Sequence, residues 1–178
     1  MATLLHATRE AVLQASGIGT VLRGLITADS YRAHCQRTIL LGPLTDPEKE
    51  QSLGQGGEVL YDADRQIRTG EVADVLSLVE SQCGVRIIYG RRVLDQDGRR
   101  ARPEVILVDV LRPPHGLNDF KHMLFQHFGL DSHRYEQQWE YEQYMRMAEP
   151  GFAAVQALVR AEPSMLLSHE FMGLATAL

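Results

Sequence analysis

The chain has 178 residues, of which 44% are hydrophobic, and this length and composition support one domain with its own core, over residues 1–178. Its formal net charge is -5, with both signs mixed along the chain, which argues against nucleic acid or an anionic membrane as a partner. No apolar stretch approaches the ~18 residues of a membrane-spanning helix, and residues 1–11 lack the apolar run of a signal peptide. We therefore predict a cytoplasmic protein.

The first part of the chain has the pattern that opens a nucleotide-binding α/β unit. The apolar run at 3–7 predicts a buried strand, a glycine-containing turn follows at 16–19, and residues 20–32 have the apolar spacing of a helix. Residues 38–41 predict a second strand. The proline- and glycine-rich stretch 42–57 predicts a loop with one short helix.

The middle of the chain predicts a helix over 72–79 and then an antiparallel hairpin. Residues 85–89 are rich in β-branched side chains, and residues 105–110 form the continuous apolar run of a strand that is buried on both faces. The turn signal Asp97-Gly98 lies between these two strands.

The last third predicts two helices, a strand and the start of another helix. The helices cover 117–128 and 135–159, and we expect Pro150-Gly151 to interrupt the second one. A short strand follows at 165–167, and a helix begins at 171. The alternation of strands and helices predicts an α/β fold with a Rossmann-like, mainly parallel sheet, helices on both of its faces and one antiparallel hairpin.

The first candidate site is the loop that leads into the first predicted helix. Glycines there let the backbone approach a ligand, and the free N–H groups of a helix start suit a phosphate. The candidate residues are Ser16, Gly17, Ile18, Gly19 and Thr20. The loop lacks the third glycine of the dinucleotide-binding fingerprint, so a purely structural turn stays open as an alternative.

The second candidate site follows the last predicted strand. His169, Glu170 and Phe171 would lie at the carboxyl edge of the parallel sheet, where α/β domains bind ligands. The alternative is that the histidine and the glutamate only cap an exposed helix start. We predict no metal site in the chain, because His122 and His127 lie on different faces of a helix. The spacing of Cys35 and Cys83 predicts free thiols.

The two candidate sites resemble motifs of glycogen- and starch-synthase-type glycosyltransferases, most closely those of the eukaryotic-type glycogen synthases. In the glycine loop of that family, the residues matched here are Glu10, Gly17, Ile18, Thr20, Val21 and Leu22. Ser16 stands where the family has its first glycine. Gln14 stands where it has a lysine that contacts the donor, which removes one positive charge from the expected diphosphate site.

The second candidate site resembles the family's His-Glu-Trp or His-Asp-Trp motif, which lies on the acceptor side of the cleft. Glu170 matches the acid, and Phe171 replaces the tryptophan. The resemblance implies that His169, Glu170 and Phe171 bind the acceptor, with the ring against a sugar face and the carboxylate accepting hydrogen bonds from hydroxyls. Residues 85–110 also resemble a family segment, with matches in order at Tyr89, Gly90, Arg91, Leu94, Asp109 and Val110.

The resemblance implies the N-terminal half of the GT-B glycosyltransferase fold, in which two Rossmann-like domains face each other across a cleft. The implied reaction is retaining transfer of glucose from a nucleotide sugar, UDP- or ADP-glucose, to a glucan acceptor. The family uses no further cofactor here. Its acid pair and most of its donor contacts lie in the other half, so we expect no complete catalytic set in this chain and no transfer by it alone. A second polypeptide that supplies the missing domain is one candidate partner.

The sequence stops within an apolar helical stretch, from which we predict a domain truncated at its C-terminus. We then expect poor burial, and so solvent exposure, of four apolar side chains: Phe171, Met172, Leu174 and Leu178. Two alternatives to a glycosyltransferase part stay open. One is a non-catalytic domain that binds a glucan or a partner protein, and the other is an unrelated Rossmann-like nucleotide-binding module.

Two further clusters have both a functional and a structural interpretation. The first is a group of arginines around the predicted hairpin, Arg91, Arg92, Arg99, Arg100 and Arg102. It suits a polyanion or a phosphorylated ligand, but we interpret it as a solvated face. The second is a set of aromatic residues at the start of the long helix, Tyr135, Trp139, Tyr141 and Tyr144. It suits a sugar, but we interpret it as core packing.

Overall fold

The structure, a computed structural model, describes residues 2–13, 16–160 and 163–178. Its strands are β1 Ala2–Ala7, β2 Cys35–Leu44, β3 Glu58–Asp62, β4 Ile67–Arg68, β5 Ile87–Arg91, β6 Leu94–Gln96, β7 Arg99–Ala101, β8 Glu104–Asp109 and β9 Ser164–Ser168. Its α-helices are α1 Gly17–Thr27, α2 Asp29–His34, α3 Pro47–Glu50, α4 Glu71–Cys83, α5 Leu117–Phe128, α6 Trp139–Val159 and α7 Leu174–Ala177. Short 3₁₀ helices cover Ser132–Tyr135 and Phe171–Gly173.

Seven of these strands form one mixed sheet in the order β4-β3-β5-β8-β2-β1-β9. The strands β8, β2, β1 and β9 are mutually parallel, whereas β5, β3 and β4 each run antiparallel to their inner neighbour. In the register of β1, Leu5 lies opposite both Ile39 of β2 and Leu166 of β9. The carboxyl ends of the four parallel strands therefore share one edge of the sheet.

Both faces of the central strands are buried, which explains their continuous apolar runs. In β8, Ile106 and Val108 point toward the cluster that contains side chains of α4 and α6. Their neighbours Val105 and Leu107 point the other way, toward the cluster that contains side chains of α1. The two-residue period of a strand thus assigns alternate residues to opposite helix layers.

The α/β class, the mainly parallel sheet with helices on both faces, and the antiparallel pair are confirmed. The prediction for 117–128 coincides with α5. The hairpin is also confirmed, since β5 pairs antiparallel with β8 and the smaller pair β6–β7 lies between them. Asp97 and Gly98 both have positive φ, at 53° and 79°, as a tight two-residue hairpin turn requires.

Two predictions of elements are wrong, and two strands were missed. The helix expected over 20–32 is two helices, because Ala28 is extended, and it begins earlier, at Gly17. Pro150 does not interrupt α6, which packs on the sheet so closely that a Cβ at Gly151 would lie 3.0 Å from Leu41. Burial of this helix outweighs the lost hydrogen bond at proline. Strand β3 and the two-residue edge strand β4 beside it were not predicted at all.

No helix within the described residues has both the length and the apolar character needed to cross a membrane.

Candidate functional site

The loop that follows β1, residues 8–13, brings the first candidate site to the carboxyl edge of the sheet. The Thr8 N–H donates to the Leu41 carbonyl of β2, and the Thr8 hydroxyl accepts from the Glu10 N–H at 3.1 Å. The loop crosses directly over β2, where a Cβ at Gly42 would lie 2.8 Å from the Thr8 carbonyl oxygen and 2.7 Å from the Ala11 Cβ. Any side chain at position 42 would collide with this loop, so the loop can follow this course only because residue 42 is glycine.

The predicted phosphate loop forms the first turn of α1. Gly17, Ile18, Gly19 and Thr20 all belong to this helix, and Ser16 is its N-cap, accepting from the Ile18 N–H at 3.3 Å. The Glu10 carboxylate, which is only 3% exposed, accepts from the Gly19 N–H at 2.8 Å. A carboxylate of the protein thus occupies the position that an anion takes at a helix start. Gln14, which stands at the position of the family's lysine, lies outside the described residues.

The second candidate site is the turn from β9 into the C-terminal helices, residues 168–173, called here the β9 turn. Glu170 adopts φ 57° and ψ -162°, close to a backbone region that is essentially restricted to glycine. The Ser168 hydroxyl donates to the Glu170 carbonyl at 3.2 Å. A Cβ at Gly173 would lie 2.7 Å from the Ala7 carbonyl oxygen, so the turn packs tightly on the end of β1.

The side chains of Glu170 and Phe171 face solvent at this edge. The Glu170 carboxylate is exposed and makes no hydrogen bond or ion pair with any described residue. Phe171 is 54% exposed and packs edge-to-face on Tyr144 of α6, with ring centroids 5.9 Å apart. The expected poor cover is found for Phe171, Leu174 and Leu178, but it is wrong for Met172, which is buried against the core.

Tyr144 lies beneath Phe171 and presents a buried hydroxyl that has no partner among the described residues. Burial raises the pKa of Tyr144 to about 12, so the hydroxyl remains protonated at neutral pH. An apolar groove of about 110 Å³ is lined by Leu124, Leu130, Tyr141, Tyr144, Met145, Phe171, Leu174, Ala175 and Leu178. The second candidate site therefore combines a free carboxylate with aromatic and apolar walls.

His169 points inward, unlike its two neighbours. Its Nε2 lies 2.8 Å from Nδ1 of the fully buried His6, whose Nε2 lies 3.0 Å from the Tyr31 hydroxyl. Burial and the nearby His169 lower the pKa of His6 to about 4, and burial lowers the pKa of His169. At neutral pH both rings are uncharged, and His169 anchors the β9 turn to β1.

The start of α6 forms the rest of this edge. Arg9, in the loop after β1, donates to Glu140 at 3.3 Å, and the Arg146 guanidinium lies 5.3 Å from the centroid of the Trp139 ring. Tyr135 and Trp139 are each 43% exposed, so the interpretation of the aromatic set as core packing holds for Tyr144 but is wrong for these two. The site residues missed from the sequence are Arg9 and Glu140. Only the position of Arg9, just past a strand end, signalled a role.

The two candidate sites flank the end of β1 and offer different chemistry. The glycine loop presents a helix start that is already capped, whereas the β9 turn presents a free carboxylate and an exposed ring. Within the described residues, no group of three or more His, Cys, Asp or Glu side chains could hold a metal ion. No protein-family model matches the chain, and the search of curated proteins found no match either.

Proposed function

We propose that this chain is the acceptor-binding N-terminal part of a glycogen- or starch-synthase-like glycosyltransferase, which transfers glucose from a nucleotide sugar to a glucan. One observation carries the proposal: Glu170, whose carboxylate has no partner in the described part of the chain, is held in a glycine-like backbone conformation at the carboxyl edge of a parallel sheet. Strained residues of this kind cluster at binding and catalytic sites, where the surrounding structure holds them in place. The resemblance of the β9 turn to the family's acceptor motif gives that position its role.

Glucan binding would use the two solvent-facing side chains of the β9 turn. A carboxylate accepts hydrogen bonds from sugar hydroxyls, and charge-assisted bonds of this type are stronger than neutral ones. The exposed ring of Phe171 offers an apolar face to a sugar ring. His169 would act indirectly, because its ring is bonded to His6 and keeps the turn in place.

The glycine loop offers a diphosphate fewer free N–H groups than the resemblance implies. Ser16 and Glu10 already accept the N–H groups of Ile18 and Gly19, so these two donors are not free for a diphosphate. This observation favours a second candidate function, a domain that binds glucan without catalysing transfer. In both cases UDP- or ADP-glucose would be held chiefly by another domain or a second polypeptide.

The first test is retention on glycogen, measured by affinity electrophoresis of the purified chain. We expect the wild type to be retarded, and Phe171→Ala and Glu170→Gln to weaken binding by about tenfold each, equivalent to about 1.4 kcal/mol. Matched controls are Phe152→Ala, which removes a ring of similar exposure from α6, and Glu48→Gln, which removes an exposed carboxylate from α3. A wild type that migrates unchanged in glycogen contradicts the proposal.

The second test separates the alternatives by titrating the chain with UDP-glucose and ADP-glucose. We expect no transfer to glycogen by this chain alone, because transfer requires groups on both sides of the cleft. Turnover well above background would contradict this expectation. Tight nucleotide binding without glucan binding would instead support a Rossmann-like nucleotide-binding module.

A further inference from the structure

The arginines around the β6–β7 hairpin do not form a uniform solvated face. Three of them have carboxylate partners, since Arg91 and Arg102 pair with Glu58, and Arg100 pairs with Asp95. Arg99 is exposed. Arg92 differs from all four, because its side chain turns inward beneath α1 and donates from Nη1 to the Ala11 carbonyl.

The inward-facing Arg92 guanidinium is only partly satisfied. Its Nε is buried and has no hydrogen-bond partner among the described residues. A buried donor without a partner is destabilising, and more so when the group is charged. The Arg92 Nε–H is therefore a hydrogen-bond donor that could bind a ligand, in a charged group whose burial without a partner is destabilising.

A second arginine stands beside the first. Arg23 of α1 lies near Arg92, and together burial and the charge of Arg23 lower the pKa of Arg92 to about 10. No described carboxylate forms an ion pair with either guanidinium. In a chain with a formal net charge of -5, two adjacent guanidinium groups that form no ion pair with a described carboxylate are an unfavourable local arrangement that an anion would relieve.

Both arginines open into a cleft of about 590 Å³ between α1, the β6–β7 hairpin and the loop before β3. Its lining comprises Arg23, Gly54, Gln55, Gly56, Arg92, Val93, Leu94, Asp95 and Arg100. This volume is typical of a small-molecule site. A Cβ at Gly54 would meet no described atom within 4 Å, so the cleft is open beside this glycine.

We propose that this cleft binds a small molecule that carries a phosphate or diphosphate group, held between Arg23 and Arg92. Guanidinium groups match the planar, bidentate geometry of phosphate oxygens. Three arginines and a single carboxylate, Asp95, line the cleft, which gives it a positive charge. The site lies apart from the β9 turn and goes beyond the proposed glucan binding.

The test is isothermal titration calorimetry with inorganic phosphate and inorganic pyrophosphate, at an ionic strength held constant with sodium chloride. The informative variant is Arg23→Gln, because the Arg23 side chain makes no hydrogen bond or ion pair with any residue that the structure describes. Arg92→Gln serves as a second variant, checked for folding by its thermal melt. The matched control is Arg99→Gln, which removes the same charge from the hairpin but does not line the cleft.

We expect saturable binding of pyrophosphate to the wild type with a Kd of about 1 mM or lower, and weaker binding of phosphate. Arg23→Gln should weaken binding by about tenfold, whereas Arg99→Gln should leave Kd within about twofold of the wild type. The proposal is overturned if the wild type binds neither anion, or if Arg99→Gln weakens binding as much as Arg23→Gln does.

Discussion

Two glutamates flank the carboxyl end of β1, and the structure uses them in opposite ways. Glu10 is buried and caps the start of α1 through the Gly19 N–H, on a backbone that needs no positive φ. Glu170 is exposed and unpaired among the described residues, on a backbone that strongly favours glycine. The comparison shows that a carboxylate at a ligand-binding edge identifies a site only when its own hydrogen bonds are not already made.

The largest expected effect is a loss of stability at low pH, caused by the His6–His169 pair that anchors the β9 turn to β1. His6 has a pKa of about 4 in the fold against 6.5 when unperturbed, so the unfolded chain binds more protons between these pH values. The contribution of His6 to the free energy of unfolding is therefore fully present above about pH 6.5. It decreases as the pH falls toward 4, by about 3 kcal/mol in total. His169, whose pKa is also lowered, contributes in the same direction.

Urea unfolding curves at a series of pH values measure this loss. His6→Gln keeps a hydrogen-bonding side chain at the position but does not titrate, so it should reduce the pH dependence. A wild-type free energy of unfolding that stays constant from pH 7 to pH 4.5 would show that the histidine pair is not held in its neutral form.

Removing the buried carboxylate of Glu10 should lower the free energy of unfolding by less than the pH effect does, but by a measurable amount. Glu10→Ala leaves the Gly19 N–H without its acceptor, and we expect the free energy of unfolding to fall by about 2 kcal/mol. Glu10→Gln retains an oxygen that can accept the same bond and should recover a large part of the loss. Chemical denaturation of the three proteins measures both values. Equal stability of Glu10→Ala and the wild type would contradict a capping role.

Replacing the exposed Glu170 with glycine should raise the stability of the chain, whereas replacing the buried Glu10 lowers it. Glu170→Gly relieves the backbone strain, and we expect it to raise the free energy of unfolding by about 1 kcal/mol while it weakens retention on glycogen. Glu170→Ala keeps the strain, since alanine also disfavours this backbone conformation, and so it should not stabilise the chain. The contrast between them separates strain from charge, and a stabilisation shared by both would attribute the effect to charge.

The smallest effect concerns the glycine of the predicted phosphate loop. Gly17 lies in the first turn of α1, and a Cβ there would meet no atom of the described residues within 4 Å. Gly17→Ala should therefore stabilise the helix by about 0.5 kcal/mol and leave glycogen retention unchanged. Gly24→Ala, in the same helix and equally free of contacts, is the matched control. A Gly17→Ala variant that loses stability would show that the loop needs glycine for its backbone path.

Local patterns were sufficient for much of the fold. The apolar spacing of residues 117–128 marked α5 to the residue, and an apolar run followed by a polar triplet located the β9 turn. These signals depend only on residues close together in sequence. Strand β3, which lies next to the edge strand β4, gave no such signal, since one side of it pairs only with the two residues of β4.

The contacts that distinguish the two candidate sites could not be read from the sequence. The bond from Glu10 to Gly19 spans a loop, and His6 meets His169 across 163 positions. His6 itself looked like one member of a buried strand. Which carboxylate is satisfied and which is free depends on tertiary geometry, to which hydrophobic periodicity is insensitive.

The pairing of β1 with β9 has a consequence for how the chain folds during synthesis. Thr3 and Ser164 are partners in this ladder, so β1 lacks this neighbour until about 160 further residues have been synthesised. Until then, the outer edge of β1 exposes unpaired backbone groups, which invite pairing with other chains. Contacts so distant in sequence also slow folding. We therefore expect nascent chains to depend on chaperones, and slower translation upstream of residue 164 to increase aggregation.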